Sequence, residues 1–219
     1  MMGGMRWVTF DCFGTLVDWR HGISTSAELI APGQGARLLE AYNRHEHAVE
    51  AESPGSRYRD VMAEALRRAC AEEGVRLNPD DAGVLAATLP YWPVFAEVGG
   101  ELSALREAGW RLALLTNCDR DLVAETRRRL PVPFDAVVTA EDAGAYKPAH
   151  DHFELFRNTY EPETWVHVAQ SYFHDMEPAY RLGLARVWIN RLGDLPSDRT
   201  VVPHIQSDLH NLLAAVETA

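Results

Sequence analysis

The sequence predicts an α/β fold in which a doubly wound parallel sheet forms a core and a helical cap is inserted into it. Short apolar runs recur along the chain and alternate with segments of helical spacing, which is typical of parallel strands joined by helices. A long stretch from Trp19 to about Leu89 lacks strand-like runs. We therefore expect a core domain formed by residues 1–18 and 94–219 and a helical cap domain formed by residues 19–93.

The first predicted strand covers residues 6–10 and delivers Asp11 to its carboxyl end, where open α/β sheets build their sites. Within the cap, apolar residues at helical spacing predict helices over residues 36–42 and 58–70, with a break at Ser53-Pro54-Gly55-Ser56. The prolines Pro90 and Pro93 mark the return to the core.

After the cap, the alternation of strands and helices resumes. Four more strands are predicted at residues 111–115, 136–138, 165–168 and 185–189. The tail from Ser207 has leucines and a valine at helical spacing and predicts a terminal helix.

The composition limits the class of protein. A chain of 219 residues with 47% hydrophobic residues can bury a full α/β core and an accessory domain. A net charge of −11 argues against a nucleic-acid partner, because such binding depends on clustered cations. No apolar run is long enough to span a membrane, and three cysteines without metal-site spacing favour reduced thiols. We expect a cytoplasmic protein without a membrane partner.

Two charged residues are candidates for catalysis. A carboxylate at a strand end, such as Asp11, can attack an electrophilic carbon or phosphorus and form a covalent intermediate. The alternative is a turn or helix-capping aspartate. Lys147 follows an apolar run and a turn, so its ammonium is expected at the same sheet edge, where it would keep Asp11 ionised. The alternative is a solvated loop lysine.

A third candidate is the junction after the strand at residues 111–115. Thr116 and Asn117 offer a hydroxyl, an amide and backbone N–H groups just before a predicted helix, a combination that suits an anion. The competing interpretation is that Thr116, Asn117 or Asp119 only caps that helix.

Four separate motifs follow one another along the chain: FDCFGTL from Phe10, LLTNCDRD from Leu114, AEDAGAYKP from Ala140 and HVAQSYFHDMEPA from His167. Together and in this order they resemble the haloacid dehalogenase superfamily, in its 2-haloacid dehalogenase branch. The resemblance covers nearly the whole chain. It implies a Rossmann-like core with a cap and hydrolysis of a carbon–halogen or other carbon–heteroatom bond beside a small carboxylate, through an ester on Asp11.

The resemblance also implies roles for further residues. Asp175 would orient the water that hydrolyses the intermediate; its counterpart in phosphatases binds magnesium. The substrate carboxylate or leaving group would be held by Thr116 and Asn117, and the substrate-binding set is completed by Phe13, Thr15, Ser171 and Arg44. No cofactor and no metal are expected, because Phe13 stands where phosphate-transferring relatives carry a second carboxylate. Cap helices often pair in relatives, which is compatible with a homodimer.

The sequence also departs from the best-known members of this branch. Phe153 replaces a tyrosine six residues after the lysine, and Gln170-Ser171-Tyr172 replaces Ser-Ser-Asn. Arg44 is the nearest match by spacing to the cap arginine, with a surface role as the alternative. The opening motif and Ser171-Tyr172-Phe173-His174-Asp175 are similar to a subgroup that includes hydrolases opening the ring of azetidine-2-carboxylate. A phosphatase on a small phosphate ester and an inactive binding protein are the other hypotheses.

Overall fold

The computed structural model describes residues 5–219, so residues 1–4 of the predicted core lie outside the described residues. Its strands are β1 (Arg6–Phe10), β2 (Arg111–Thr116), β3 (Ala136–Thr139), β4 (Thr164–Ala169), β5 (Ala185–Ile189) and β6 (Ile205–Gln206). Its α-helices are α1 (Trp19–Glu28), α2 (Gly35–Glu52), α3 (Tyr58–Glu72), α4 (Val84–Thr88), α5 (Val98–Glu107), α6 (Arg120–Arg127), α7 (Ala140–Ala143), α8 (Asp151–Tyr160), α9 (Glu177–Arg181) and α10 (Leu212–Thr218).

The six strands form one parallel sheet in the order β3-β2-β1-β4-β5-β6. This order reverses between β1 and β4, and the crevice at such a reversal is where doubly wound sheets bind their ligands. The α/β class predicted from the sequence is confirmed. The two-residue strand β6 was not predicted, because so short a run has no detectable alternation. The terminal helix begins at Leu212 and not near Ser207, which is a correction of its boundary.

The chain forms two compact units. The first comprises residues 5–17, 94–117 and 130–219, and the second comprises Asp18–Pro93 and Cys118–Arg129. The core of the first unit contains an aromatic cluster in which Trp7 contacts Phe156 edge-on, with ring centroids 5.2 Å apart. The division into a core at residues 1–18 and 94–219 and a cap at 19–93 stays a prediction.

Within the second unit, α2 and α3 bury one apolar stripe each, including Leu38, Tyr42, Met62 and Leu66. The start of α3 is capped from a distant part of the chain: Oδ1 of Asp119 accepts a hydrogen bond from the backbone N–H of Tyr58 at 2.7 Å. None of the helices in residues 5–219 has the length and apolar character needed to cross a membrane.

Candidate active site

Asp11 lies directly after β1, beside the point where the strand order reverses. Its backbone N–H donates to the carbonyl of Val168 on β4 at 3.2 Å, which continues the ladder by one residue. The hydroxyl of Thr15 donates to Oδ2 of Asp11 at 2.9 Å, and the same hydroxyl accepts from the backbone N–H of Gln170 at 2.9 Å. Thr15 thus connects the loops that follow β1 and β4.

Gly14 allows this loop to close. Its φ of +96° lies in the region that glycine adopts without steric cost. A Cβ at this position would also lie 3.3 Å from the side-chain oxygen of Gln170. A glycine in the opening motif is therefore required by the backbone conformation, whereas the end of the Gln170 side chain would have to move by only a few tenths of an ångström.

Lys147 is buried and lies between two carboxylates. Its Nζ is 3.0 Å from Oδ1 of Asp11, 2.6 Å from Oδ1 of Asp175 and 2.8 Å from the carbonyl oxygen of Leu115. An ammonium group has three N–H donors, so these three acceptors use all of them. The solvated loop lysine that was the alternative does not match this position, since Lys147 is only 1% exposed.

The three charges shift one another's pKa. Burial raises the pKa of Asp11, and the charge of Asp175 adds to this against the opposing effect of Lys147, so the balance lies above the ordinary value. Burial alone would lower the pKa of Lys147, but the two carboxylates raise it more. Burial likewise opposes ionisation of Asp175, yet Lys147 and His167 hold its pKa well below the usual range. The pKa shifts therefore favour the charged forms of Lys147 and Asp175, whereas burial disfavours the charged form of Asp11.

Asp175 sits in a short π-helical turn, Tyr172–Met176, that follows β4. Its Oδ1 accepts from Lys147 and lies 3.0 Å from Nε2 of His167, whereas Oδ2 is buried without a hydrogen-bond partner among the described residues. Such an acceptor is costly to bury unless something donates to it during function. Ser171 starts this turn, and its hydroxyl accepts from the backbone N–H of His174 at 3.0 Å.

The last residue of β2, Thr116, and the first residue of the loop after it, Asn117, form the next part of the site. Thr116 is buried, and its carbonyl oxygen lies 3.1 Å from Nε2 of His152. The side chain of Asn117 bonds both backbone groups of Lys147. Asp119 precedes α6 but makes no side-chain cap to it, because its carboxylate is directed to the start of α3.

Two of the predicted substrate-binding residues have other contacts. Phe13 is half-buried and forms an isolated parallel bridge with Val17, inside the loop that follows β1. Arg44 is exposed within the second unit, where its Nη2 lies 2.5 Å from Oε1 of Glu72. The roles assigned from the sequence to Phe13 and Arg44 stay predictions.

The donor set is poor for a magnesium ion. Oδ1 of Asp11 and Oδ1 of Asp175 both contact the same ammonium, and Phe13 occupies the position where a further carboxylate would stand. Mg²⁺ requires several oxygen ligands in octahedral geometry, and Lys147 would compete with it for the two carboxylates. We derive no step through a metal.

The structure also shows two residues that are hydrogen-bonded to the site and that the motifs did not single out, Thr9 and His167. They are cross-strand partners on β1 and β4, and both are completely buried. Buried parallel strands are usually continuous apolar runs, so a threonine and a histidine within them were the available signal. The sequence analysis took both only as parts of strands.

Comparisons with known proteins identify the family of the chain. A family model for haloacid dehalogenase-like hydrolases matches residues 5–177. The chain is 28% identical over 196 residues to haloacetate dehalogenase H-2 of Moraxella sp. (strain B), covering 85% of this chain and 86% of that protein. It is also 24% identical over 226 residues to the (S)-2-haloacid dehalogenase of Pseudomonas sp. (strain YL), a match that covers 100% of this chain and 97% of that protein.

A crystal structure of an L-2-haloacid dehalogenase has the same fold, with a TM-score of 0.86 at 26% identity, and the match covers 98% of this chain and 100% of that one. The family model spans residues 5–177, well over half of the sequence, and this range contains Asp11, Lys147 and Asp175. The protein is therefore an enzyme that belongs to the haloacid dehalogenase-like hydrolases.

Proposed function

We propose that this hydrolase cleaves the carbon–halogen bond of a small 2-halocarboxylic acid through a covalent ester on Asp11. The single observation that carries the proposal is the placement of Lys147 between Asp11 and Asp175. In the loop after β1, Phe13 stands where phosphate-transferring relatives carry a second carboxylate. The named relatives act on haloacetate and on (S)-2-haloacids, which supports this substrate class.

In the first half-reaction, a carboxylate oxygen of Asp11 attacks C2 of the substrate, and the halide departs with the electrons of the carbon–halogen bond. Lys147 keeps Asp11 ionised despite its burial, and Thr15 holds the other oxygen. A halide leaves without a proton, so the lack of an acid at Phe13 does not hinder this step. The hydroxyl of Thr116 and the N–H groups of its loop are proposed to hold the substrate carboxylate.

In the second half-reaction, water attacks Cγ of the Asp11 ester and passes a proton to Asp175. The bond between Cγ and the ester oxygen breaks, and the departing oxygen takes the second proton of the water, which releases a 2-hydroxy acid and restores the Asp11 carboxylate. Asp175 then gives up the proton that it accepted. Overall, water and the haloacid yield a hydroxy acid, a halide and one proton. In the free enzyme Lys147 contacts both carboxylates, so the buried charge of each has a partner before the reaction begins.

Phosphoryl transfer is less well supported by these residues. It brings anions together and normally needs a metal ion and a proton for the leaving oxygen. Phe13 provides neither.

We also propose a cytoplasmic location, because Cys12, Cys70 and Cys118 are all free thiols.

A side-by-side panel tests this function. The purified enzyme is assayed in excess EDTA for halide release from 2-chloropropionate, ring opening of azetidine-2-carboxylate and phosphate release from an aryl phosphate. We expect halide release that is abolished in Asp11→Asn. Ring opening without halide release would redirect the proposal to carbon–nitrogen cleavage, and magnesium-dependent phosphate release would overturn it.

A further inference from the structure

A chain of buried hydrogen bonds continues from the catalytic carboxylates into the centre of the sheet. Nε2 of His167 lies 3.0 Å from Oδ1 of Asp175, and Nδ1 of the same ring lies 2.8 Å from Oγ1 of Thr9. The indole N–H of Trp165 donates to that Oγ1 at 2.8 Å. Trp165, Thr9 and His167 are all buried, so none of these contacts is exchanged with solvent.

The contacts of this hydrogen-bond network require one proton and favour one arrangement of the rest. Asp175 is ionised, so Nε2 of His167 must carry a proton in order to contact it. Oγ1 of Thr9 accepts from Trp165 and has its own O–H to donate, and an acceptor within reach is Nδ1 of His167. In this arrangement Nε2 of His167 donates to Asp175 and Nδ1 accepts from Thr9. Each donor in this series of hydrogen bonds then points toward Asp175.

We propose that His167 is a positioning residue for hydrolysis of the Asp11 ester, because it fixes the carboxylate of Asp175 so that only Oδ2 is available to water. Lys147 and His167 together occupy Oδ1, whereas Oδ2 is buried and has no donor among residues 5–219. This inference rests on the function proposed above, and it concerns the second half-reaction alone.

The chemistry of that step explains why orientation matters. Water forms a bond from its oxygen to Cγ of Asp11 and transfers one proton to Oδ2 of Asp175, while Oδ1 keeps its two hydrogen bonds. The bond between Cγ and the ester oxygen then breaks, and the departing oxygen takes the second proton of the water. A carboxylate that could rotate would present either oxygen to Lys147 and leave the water without a defined acceptor. His167 therefore acts through Asp175 and does not touch the substrate itself.

The alternative is a buried histidine that serves only packing. The ring does pack edge-on against Phe153, with centroids 5.0 Å apart. Packing alone does not require both ring nitrogens to meet a polar partner, as both do here.

Two pairs of variants distinguish a positioning residue from a packing residue. His167→Gln keeps a donor toward Asp175, whereas His167→Leu removes it; Thr9→Ser keeps the hydroxyl, whereas Thr9→Val removes it at nearly constant shape.

The first arm measures the two half-reactions separately with a 2-haloacid. Rapid-quench mass spectrometry follows the Asp11 peptide as an ester, and halide release reports its formation. We expect His167→Leu to slow ester hydrolysis about ten- to a hundredfold, the equivalent of one hydrogen bond to a charged group, while ester formation stays near the wild-type rate. Thr9→Val should also slow ester hydrolysis. His167→Gln and Thr9→Ser, which keep the donors, should hydrolyse the ester at a rate closer to that of the wild type. Equal slowing of both half-reactions in His167→Leu and Thr9→Val would overturn the proposal.

The second arm needs no substrate. ¹⁵N NMR of the free enzyme should show His167 protonated on Nε2 and unprotonated on Nδ1 at neutral pH, with this preference weakened in Thr9→Val. A ring protonated on Nδ1 alone would overturn the proposal even if His167→Leu fails to fold. If the wild-type enzyme forms no ester with any haloacid, the proposed function fails, while the NMR result still tests whether His167 donates to Asp175.

Discussion

The side chain of Asn117 holds the backbone of Lys147 from both sides. Oδ1 of Asn117 accepts from the backbone N–H of Lys147 at 2.7 Å, and Nδ2 donates to the carbonyl oxygen of Lys147 at 3.1 Å. The loop after β2 therefore fixes the residue that supplies the ammonium to Asp11. This contact gives Asn117 a positioning function beside the substrate-binding role expected from the resemblance.

Asn117→Ala is expected to lower kcat about ten- to a hundredfold, because Lys147 loses the two hydrogen bonds that fix its backbone. A residue that only bound substrate would instead raise KM and leave kcat unchanged. Steady-state kinetics distinguish the two. Asn78→Ala is the control, because that exposed asparagine donates to Asp81 three residues away. An effect of Asn117→Ala confined to KM would contradict the positioning role.

Lys147→Met should remove the charge that keeps Asp11 ionised. The pKa of Asp11 is already raised by burial, and loss of the ammonium should raise it further. Activity requires ionised Asp11, so the acidic limb of the pH–rate profile is expected to move to higher pH. At neutral pH the rate should also fall, because the transition state loses about 3 kcal/mol or more of stabilisation. An unshifted acidic limb in the variant would contradict this assignment.

Asp11 and Asp175 should affect stability in opposite directions. The folded-state pKa of Asp11 lies above its unfolded value, so its ionisation destabilises the fold as pH rises through that folded pKa. The pKa of Asp175 is depressed, so its contribution is present above the unfolded value and is lost as pH falls through the folded one. At pH 7 we expect Asp11→Asn to leave Tm unchanged or higher and Asp175→Asn to lower it.

Thermal unfolding by circular dichroism measures both shifts. Each is expected to be a few degrees, because about 1 kcal/mol moves Tm by about 2–4 °C in a chain of this size. The difference between the two variants should shrink as the pH is lowered toward 4. A lower Tm for Asp11→Asn than for Asp175→Asn at pH 7 would show that the charge balance is assigned wrongly.

Gly22→Ala should destabilise the second compact unit. A Cβ at Gly22 would lie 2.2 Å from a ring carbon of Trp92, whose indole N–H donates to Ser26 at 3.1 Å and so resists moving. The expected loss in the free energy of unfolding is about 1–3 kcal/mol. Gly100→Ala is the matched control, since no atom lies within 4 Å of its Cβ and alanine favours the helix. Equal urea midpoints for the two variants would contradict the steric argument.

The parts of the structure that the sequence could predict are those with a local signal. Buried apolar runs predicted five strands, and the residues directly after them, among them Asp11 and Thr116, were recognisable because parallel strands end at one edge of a sheet. The contacts of Lys147 join residues 28 to 136 positions apart and follow only from tertiary packing. The same holds for Asp119, whose carboxylate bonds the start of α3 and not the adjacent α6.

The hydrogen-bond partners of His167 could not be predicted from the sequence. A polar residue within a buried strand can be noticed, but its partner depends on the register between β1 and β4, which places Thr9 beside it. The role of Asp175 in turn depends on which of its two oxygens is occupied. Neither fact has a local signature in the chain.

The most direct test of the mechanism is a single turnover in ¹⁸O water with enzyme in excess over a 2-haloacid. If Asp11 forms an ester that water cleaves at Cγ, the product oxygen comes from the enzyme and the label enters Asp11. Mass spectrometry should find ¹⁸O in the peptide containing Asp11 and unlabelled hydroxy acid. Labelled hydroxy acid beside an unlabelled Asp11 peptide would contradict the covalent mechanism.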